Sequence, residues 1–403
     1  MTWWDRNAVE ALIRDLVIDE LRRLRPTQAL PLSHGEAGAV QLDSLERLQI
    51  ADRLAVFFQM REVGLEDNLL ATSTLTEWVD IVSTSLTHHD QTVAFRTSGS
   101  TGEPRTLVHE MARLEREATF WADQLKDARV IVTLVPRHHI YGFIFTLLLP
   151  RALGLEVIDG RGRLPSRLAR DLPAGALLIG YPDLWRLIAA DAQPFATGTW
   201  GITSTAPCPD SLANALVPAH IERLIQIYGA SEIAGIGWRD APNTPYRLLP
   251  HWRRGADDEL IDSASDCGQE TGFRGVPPDH LEWLDAHHFY LCGRRDQAVA
   301  IAGINVYPER IARHLETLPE VLAAAVRPMR AHEGARLKAF IVPTDLTADR
   351  NRLLATITTF TERTLAPMER PRAFTVGEHW PRGTLGKALD WEIDITTSGD
   401  SDV

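Results

Sequence analysis

The sequence predicts an α/β protein in three parts: a helical segment, an α/β domain and a small α+β domain at the C-terminus. Apolar residues recur at helical spacing through the first part. From residue 92 onward, short apolar runs alternate with helical stretches, as in βαβ units. The chain after residue 297 has strands and helices of its own. We therefore expect domains at 1–88, 89–295 and 296–403.

The composition is that of a globular protein. Of the 403 residues, 44% are hydrophobic and 24% are charged, which excludes disordered and fibrous classes. The formal net charge of −12 argues against nucleic-acid binding, because that function needs a basic surface. Three scattered cysteines form no disulfide framework, and neither a secretion signal nor a membrane-spanning run is visible. We expect a cytoplasmic protein without a membrane partner.

Amphipathic helices are predicted in the first part of the chain. They cover 8–24, Leu45–Phe58 and 74–86, where apolar side chains recur every three or four residues. The polar stretch His88–Gln91 follows and is interpreted as a linker. This part is therefore expected to be helical throughout.

The second part is predicted to contain a parallel sheet. Arg129–Val135 is an almost continuous apolar run, as expected of a strand buried on both faces. Further strands are predicted at Ala176–Ile179, Gly201–Ser204 and Arg223–Ile227, and helices at Met111–Leu125 and Asp183–Ala190. The third part has predicted strands at Ala323–Val326 and Ala339–Val342 and helices at 308–317 and 350–366. Sheets of this kind bind ligands at the carboxyl ends of their strands.

A glycine- and hydroxyl-rich turn follows the first apolar run of the second part. Its glycines allow the backbone to approach an anion, its hydroxyl and N–H groups can donate to phosphate oxygens, and its arginine adds a permanent charge. The residues concerned are Thr97, Ser98, Gly99, Ser100, Thr101, Gly102 and Arg105. Composition alone leaves a Ser/Gly-rich surface loop as an equal alternative.

Other polar motifs lie near predicted strand ends or close to the C-terminus. Pro136–Gly142 contains two adjacent histidines, and Ile227–Glu232 reads Ile-Tyr-Gly-Ala-Ser-Glu. Gly293–Asp296 and Trp380–Lys387 are rich in glycine and basic residues. Taken singly, these motifs have ordinary explanations: a capping histidine or a metal pair, a capped turn, and solvated charges.

Together these motifs resemble those of the adenylate-forming superfamily, in the order in which that family carries them. The resemblance covers about residues 95–390. It implies that the turn at 97–105 binds the phosphates of ATP and that His139 lies beside the carboxylate of the acid substrate. It also implies that Tyr228 stacks on adenine, that Ser231 contacts the α-phosphate region and that Glu232 holds Mg²⁺. ATP and Mg²⁺ are the implied cofactors.

The same resemblance implies roles for the residues that follow. Asp279 and Arg294 would bind the ribose, and Asp296 would be the hinge of a mobile C-terminal lid. Gly303 would line the tunnel for the thiol substrate. Lys387 would contact the carboxylate and the α-phosphate, because a compact ammonium can neutralise two approaching anions.

The chain departs from the family pattern before the phosphate turn. Residues 1–96 are much shorter than the usual segment, and Leu42–Glu46 resembles the attachment motif of acyl carrier proteins. Ser44 would then carry phosphopantetheine. The alternative is that Asp43 and Ser44 only cap a helix, which both residue types do well. Lysines typical of coumarate-type ligases after the hinge are replaced by Ala300–Gly303.

The predicted activity is ATP-dependent activation of an aromatic carboxylic acid, of the hydroxybenzoate or cinnamate type, as an acyl-adenylate. The acyl group would then pass to the phosphopantetheine thiol of an acyl carrier protein. In this the chain resembles short aryl-acid ligases of aryl-polyene-type pigment clusters. Two alternatives remain: an acyl-CoA ligase that uses free coenzyme A, and a non-catalytic carrier-docking module.

Overall fold

The computed structural model divides the chain into two compact units. One comprises residues 1–97 and 104–292, and the other takes in the chain from Gly293 onward. The residues described are 4–25, 42–72, 74–98, 104–191, 193–206, 208–263, 273–295, 298–302, 304–330, 332–347, 349–379 and 390–393. In these ranges, no helix has the length and apolar character needed to cross a membrane.

The first unit begins with the three predicted helices and one short helix that the sequence did not predict, Asn68–Ala71. They are α1 (Arg6–Leu24), α2 (Ser44–Phe57), α3 (Asn68–Ala71) and α4 (Leu75–Leu86). Asp43 caps α2, since its carboxylate accepts from the Glu46 backbone N–H at 2.8 Å while the Glu46 side chain accepts from the Asp43 N–H at 3.0 Å. Thr74 and Glu77 form the same reciprocal pair of hydrogen bonds, a capping box, at the start of α4. Both capping boxes satisfy backbone donors that the first helical turn leaves unpaired.

The four helices share one hydrophobic core with the rest of the first unit. Phe57 lies 5.4 Å from Phe95 and 6.2 Å from Phe143, measured between ring centroids, and Trp4 lies 5.7 Å from Phe143. Because α1 and α2 bury their apolar faces against the α/β part, the structure places no unit boundary at residue 88, where the sequence predicted one.

In the part of the chain that the structure describes, nine strands form the central sheet of this unit. They are β3 (Val130–Thr133), β4 (Val157–Asp159), β5 (Ala176–Gly180), β6 (Trp200–Thr203), β7 (Arg223–Ala230), β8 (Ala234–Arg239), β9 (Tyr246–Leu248), β13 (Asp279–Trp283) and β14 (His288–Arg294). Their order is β13-β14-β9-β8-β7-β6-β5-β3-β4. The five strands β3 to β7 are parallel, and β8, β9 and β14 continue the sheet through antiparallel pairs. The predicted parallel sheet is therefore observed.

Smaller sheets and helices complete the unit. β1 (Thr92–Ser98) pairs with β2 (Pro104–Glu110), and β10 (Trp252–Arg254), β11 (Leu260–Asp262) and β12 (Arg274–Gly275) form a three-stranded sheet. The helices are α5 (Met111–Gln124), α6 (Ile140–Phe143), α7 (Leu149–Leu153), α8 (Pro165–Asp171), α9 (Pro182–Asp191) and α10 (Asp210–Ala215). Since carboxyl ends of parallel strands meet at one edge, the residues after β3, β5, β6 and β7 lie along that edge.

The second unit is a small α+β fold. It contains the pair β15 (Val299–Ile301) and β16 (Ile304–Val306), a sheet of β17 (Val321–Pro328), β18 (Leu337–Pro343) and β19 (Ala373–Val376), and the helices α11 (Pro308–Leu315) and α12 (Arg350–Thr364). Lys338 on β18 is fully buried, and its ammonium lies 2.7 Å from a Glu333 carboxylate oxygen and 3.2 Å from one of Asp390. This ion cluster fixes the chain at Asp390 to the central strand of the sheet.

Candidate active site

Two predicted nucleotide-binding residues are hydrogen-bonded to each other. The Tyr228 hydroxyl on β7 donates to a carboxylate oxygen of Asp279, the first residue of β13, at 2.9 Å. The Tyr228 ring is buried, with the Tyr246 and Phe289 rings 6.0 and 5.9 Å away between centroids. Packing therefore fixes the tyrosine, and the hydrogen bond brings together two residues that are 51 positions apart in the sequence.

The Ser-Glu part of the same motif forms the turn from β7 to β8. Ser231 is half-buried and Glu232 is exposed, and Ala234 at the end of the turn has φ +81°. On the neighbouring strand β6, the chain continues into Ser204, whose hydroxyl donates to the Ile227 carbonyl at 3.0 Å. The turn thus presents a carboxylate to solvent at the carboxyl edge of the sheet.

His109 stabilises this turn through a hydrogen bond to its backbone. Its Nδ1 lies 2.6 Å from Nη2 of Arg113, and its Nε2 lies 2.7 Å from the Ser231 carbonyl oxygen. Arginine can only donate, so Nδ1 must be the acceptor, and Nε2 therefore carries the proton that is donated to Ser231. Burial and the nearby Arg113 charge lower the pKa of His109 to about 4, which keeps the ring neutral.

Glu117 makes a second contact with the same segment. One of its carboxylate oxygens accepts from the Gly235 backbone N–H at 2.9 Å, and the side chain is buried. Burial raises the pKa of Glu117 to about 7. A Cβ at Gly235 would lie 2.1 Å from a Glu117 oxygen, so only glycine allows this approach. Trp252 donates to the Gly235 carbonyl at 2.7 Å from the other side.

The two predicted histidines follow β3. Their rings lie 4.5 Å apart between centroids, but His138 is buried whereas His139 is exposed at the start of α6. Burial is the main cause that lowers the pKa of His138 well below its usual value. Tyr141 holds α6 over the sheet, because its hydroxyl lies 3.0 Å from the carbonyls of Gly180 and Ile202. His139 is therefore the histidine that faces solvent at the carboxyl edge.

A recess lies beside His138. Its volume is about 420 Å³, and α1 contributes Asp15 and Asp19 to its lining. Asp15 is buried and accepts from the two terminal nitrogens of Arg161 at 2.7 and 2.8 Å. It also accepts from the Arg137 backbone N–H at 2.9 Å. These bonds join α1 to the loops that follow β3 and β4.

The remaining predicted residues divide into two groups. Thr97 and Ser98 end β1, Arg105 is exposed on β2, Ser44 is exposed as the first residue of α2, and Arg294 ends β14. Gly99, Ser100, Thr101, Gly102, Asp296, Gly303 and Lys387 lie outside the described residues. The β1–β2 pair therefore brings the two ends of the phosphate turn to neighbouring strands, and the roles of all these residues remain predictions.

The donor set fits Mg²⁺ that is held mainly by a nucleotide. Within the described ranges there is no group of three or more His, Cys, Asp or Glu side chains able to hold a metal. Glu232 is a single exposed carboxylate at the site edge. Mg²⁺ keeps several waters and binds through one or two carboxylates together with substrate phosphates, so one protein carboxylate is sufficient.

Sequence reasoning missed His109, Arg113 and Glu117. All three are buried although they are polar, and they follow one another at intervals of four residues across the end of β2 and along α5. On α5, that spacing places Arg113 and Glu117 on one helix face, whereas His109 precedes the helix. Their burial required the structure, because polar residues at helical spacing are also typical of a solvated helix face.

Comparison with known proteins found a matching family and similar relatives. Residues 35–254 match the family model for AMP-binding enzymes, a range that includes α2 to α4. A 4-coumarate–CoA ligase of Halorhodospira halophila is 36% identical over 94% of this chain and 98% of its own. One of Rhodobacter capsulatus is 35% identical over 95% of this chain and 100% of its own.

Solved structures show the same fold. An o-succinylbenzoate CoA synthetase from Bacillus subtilis superposes with a TM-score of 0.60 at 16% identity, over 95% of this chain and 91% of the other. A malonyl-CoA ligase superposes with a TM-score of 0.56 at 24% identity, over 72% and 71% of the two chains. At these identities the likeness concerns the fold alone.

The family match and the similar relatives define an ATP-dependent enzyme that activates acids. The chain belongs to the AMP-binding enzyme family. Within it, the chain is an AMP-forming acid–thiol ligase. The family match begins at residue 35, so it includes helices that the sequence had assigned to a separate carrier-like domain.

Proposed function

We propose that this protein activates a 4-hydroxycinnamate-type acid with ATP and transfers the acyl group to the thiol of coenzyme A. The observation that carries the proposal is the match with two proteins named 4-coumarate–CoA ligase, at 35–36% identity over 94–95% of this chain and 98–100% of theirs. The Tyr228–Asp279 hydrogen bond supports the nucleotide part, because it joins the residue expected on the adenine to the residue expected on the ribose.

The reaction has two steps. A carboxylate oxygen of the acid attacks the α-phosphorus of ATP, an O–P bond forms, and the bond to pyrophosphate breaks. The thiolate of the acceptor then attacks the acyl carbon, a C–S bond forms, and AMP leaves with its electron pair on the phosphate oxygen. Mg²⁺ held by Glu232 and the nucleotide would neutralise phosphate charge when bound.

The residues of the chain are proposed to position and neutralise the reactants. His139 is exposed at the edge, so its ring can donate to the acid carboxylate. The turn at 97–105 would bind the phosphates, and Asp279 would accept from the ribose hydroxyls. Lys387 would supply an ammonium between the carboxylate and the α-phosphate, where two negative charges approach. Asp296 and Gly303 keep their proposed roles as hinge and thiol tunnel.

Lysine is rare in this chain, which makes the test of Lys387 unusually clean. The sequence contains three lysines: Lys126, Lys338 and Lys387. Lys338 is buried in its ion cluster and Lys126 is exposed on the surface. Lys387→Ala should abolish acid-dependent pyrophosphate exchange while ATP binding persists, and Lys126→Ala should leave exchange unchanged. Exchange at the native rate in Lys387→Ala would contradict the assignment.

A panel of acids tests the substrate class. Pyrophosphate exchange should be fastest with 4-hydroxycinnamate, slower with hydroxybenzoates and negligible with saturated fatty acids of similar length. A preference for an aliphatic acid would contradict the proposal. The acceptor is then identified by adding coenzyme A or a pantetheinylated carrier protein to the preformed adenylate and measuring thioester by mass.

A carrier-protein thiol is the second candidate acceptor. The observation in its favour is Ser44, which is exposed at the start of α2 within the sequence Leu42–Glu46. Against it, Asp43 caps α2 and the helices share the core of the catalytic unit. Incubation with coenzyme A and a phosphopantetheinyl transferase should leave the mass of the protein unchanged. A gain of the phosphopantetheine mass in the native protein, absent from Ser44→Ala, would instead indicate that Ser44 is an attachment site of a carrier domain.

A further inference from the structure

Two nucleotide-binding segments of this enzyme are linked by side chains that have no assigned role. β2 leaves the predicted phosphate turn at Pro104 and ends at Glu110, and His109 lies at its far end. The imidazole of His109 donates to the Ser231 carbonyl at 2.7 Å. One residue therefore joins the strand that leaves the phosphate turn to the turn that carries Glu232.

The link is rigid because each of its members is buried and bonded. His109 and Arg113 expose 1% and 4% of their surface. The Arg113 guanidinium bonds Nδ1 of His109 at 2.6 Å and lies 3.9 Å from the centroid of the Phe273 ring. Arg113 thereby fixes the tautomer in which Nε2 carries the hydrogen, since a guanidinium has no acceptor to offer.

Glu117 makes a second contact with the turn from β7 to β8, at the C-terminal end of that turn. It follows Arg113 by one turn of α5 and accepts from the Gly235 N–H at 2.9 Å. The segment 231–235 is thus held at its first carbonyl by His109 and at its last N–H by Glu117. Glu232 lies between these two points and is exposed, so its position is set by the backbone to either side.

We propose that His109 is a positioning residue for the nucleotide: it fixes the turn that presents Ser231 and Glu232, through its Nε2–H bond to the Ser231 carbonyl. The inference deepens the proposed function, on which it rests for the roles of those two residues. When the turn is fixed before the substrate binds, its polar groups need not reorganise during the reaction. This is how electrostatic preorganisation lowers barriers. His109 itself touches no reacting atom.

Two amide substitutions distinguish the contribution of Nδ1 of His109 from that of Nε2. The side-chain nitrogen of His109→Gln reaches the place of Nε2 and can donate to Ser231, whereas His109→Asn reaches only the place of Nδ1 beside Arg113. His109→Asn should lower the pyrophosphate-exchange kcat about tenfold, the cost of one lost buried hydrogen bond. It should also raise the Mg²⁺ concentration needed for half-maximal rate, with the KM for the acid unchanged. His109→Gln should stay within about threefold of the native kcat.

A merely structural role predicts different results. If His109 only stabilises the core, the two variants lose activity together and in proportion to their loss of melting temperature, and the Mg²⁺ requirement stays fixed. Native behaviour of both variants would equally overturn the proposal. Thermal unfolding of both proteins shows whether each is folded at the assay temperature, and only folded variants are compared.

A binding measurement keeps this test separate from the proposed activity. The ratio of ATP affinities with and without Mg²⁺, measured by calorimetry without any acid, should fall in His109→Asn and not in His109→Gln. If the native protein binds ATP in a Mg²⁺-dependent way but activates no aromatic acid, the substrate proposal fails and the His109 comparison still stands. An unchanged ratio in both variants overturns the positioning role alone.

Discussion

The buried carboxyl group of Glu117 should make the stability of the protein fall as the pH rises toward neutrality. The side chain is 1% exposed, and its pKa is about 7 against an ordinary value of 4.5. Between these two values the unfolded chain has lost this proton while the folded protein still holds it. Unfolding therefore releases a proton, and the free energy of unfolding decreases with increasing pH in that window.

The size of the effect follows from the two pKa values. One pKa unit corresponds to about 1.4 kcal/mol, so a difference near 2.5 units amounts to about 3 kcal/mol lost between pH 4.5 and pH 7. Glu117→Gln removes the titration, keeps an oxygen acceptor for the Gly235 N–H and preserves the side-chain volume. The variant should match the native protein near pH 4 and exceed its stability by about 3 kcal/mol at pH 8.

The measurement is urea unfolding of both proteins, followed by tryptophan fluorescence at several pH values. Burial lowers the pKa values of His109 and His251 to about 4. Their effect on the free energy of unfolding is opposite to that of Glu117, because the protein loses their contribution as the pH falls below 6.5. Both histidines are present in both proteins, so the difference between the two curves isolates Glu117. Asp123→Asn, an exposed carboxylate on the same helix, is the control. A difference between Glu117→Gln and the native protein that stays constant with pH would refute the reasoning.

Three further variants test other parts of the structure. Asp15→Asn removes the buried carboxylate that accepts two bonds from Arg161, and should lower the free energy of unfolding of the first unit by about 3 kcal/mol in urea titrations. Lys338→Met leaves the carboxylate of Glu333, 1% exposed, without its ammonium, and should destabilise the second unit by about 3 kcal/mol in calorimetric scans. His139→Ala should raise the KM for the acid about tenfold, and more than that for ATP, in pyrophosphate-exchange assays.

Matched substitutions serve as controls for the first two. Asp123→Asn changes an exposed carboxylate of α5, and Lys126→Met changes an exposed lysine. Both should alter stability by less than about 0.5 kcal/mol, the usual size of a surface effect. Equal losses in Asp15→Asn and Asp123→Asn would contradict the buried ion pair. Equal changes of both KM values in His139→Ala would contradict its place beside the acid.

Local patterns predicted the elements because they depend on neighbours in the sequence. The run Arg129–Val135 predicted β3, since a strand covered on both faces must be apolar at every position. The rule that parallel strands bind ligands at their carboxyl ends then brought His139 and the Tyr228 motif to one edge. The bond between Tyr228 and Asp279 required the structure, because it depends on an antiparallel path through β8, β9 and β14.

Contacts between distant segments could not be read from periodicity. A helix such as α1 has the same amphipathic pattern whether its apolar stripe meets another helix or a βαβ layer, so the pattern permitted a separate domain at 1–88. Asp15 is an example of a residue whose environment the amphipathic pattern does not predict. It lies within the buried stripe of α1, and only its partners Arg137 and Arg161, more than a hundred positions away, explain why a carboxylate can be buried there.

The unequal use of arginine and lysine adds weight to the proposed role of Lys387. Only three of the 42 basic residues are lysines, and even the phosphate turn ends in Arg105. At Lys338 the residue type has a clear physical reason, because a compact ammonium enters a buried cluster of Glu333 and Asp390 that a planar guanidinium would overfill. The same reasoning applies where a carboxylate and a phosphate converge, since a point charge on a flexible stem can follow both anions as their separation shrinks. A lysine proposed for such a position, in a chain this poor in lysine, is consistent with chemistry that arginine cannot supply.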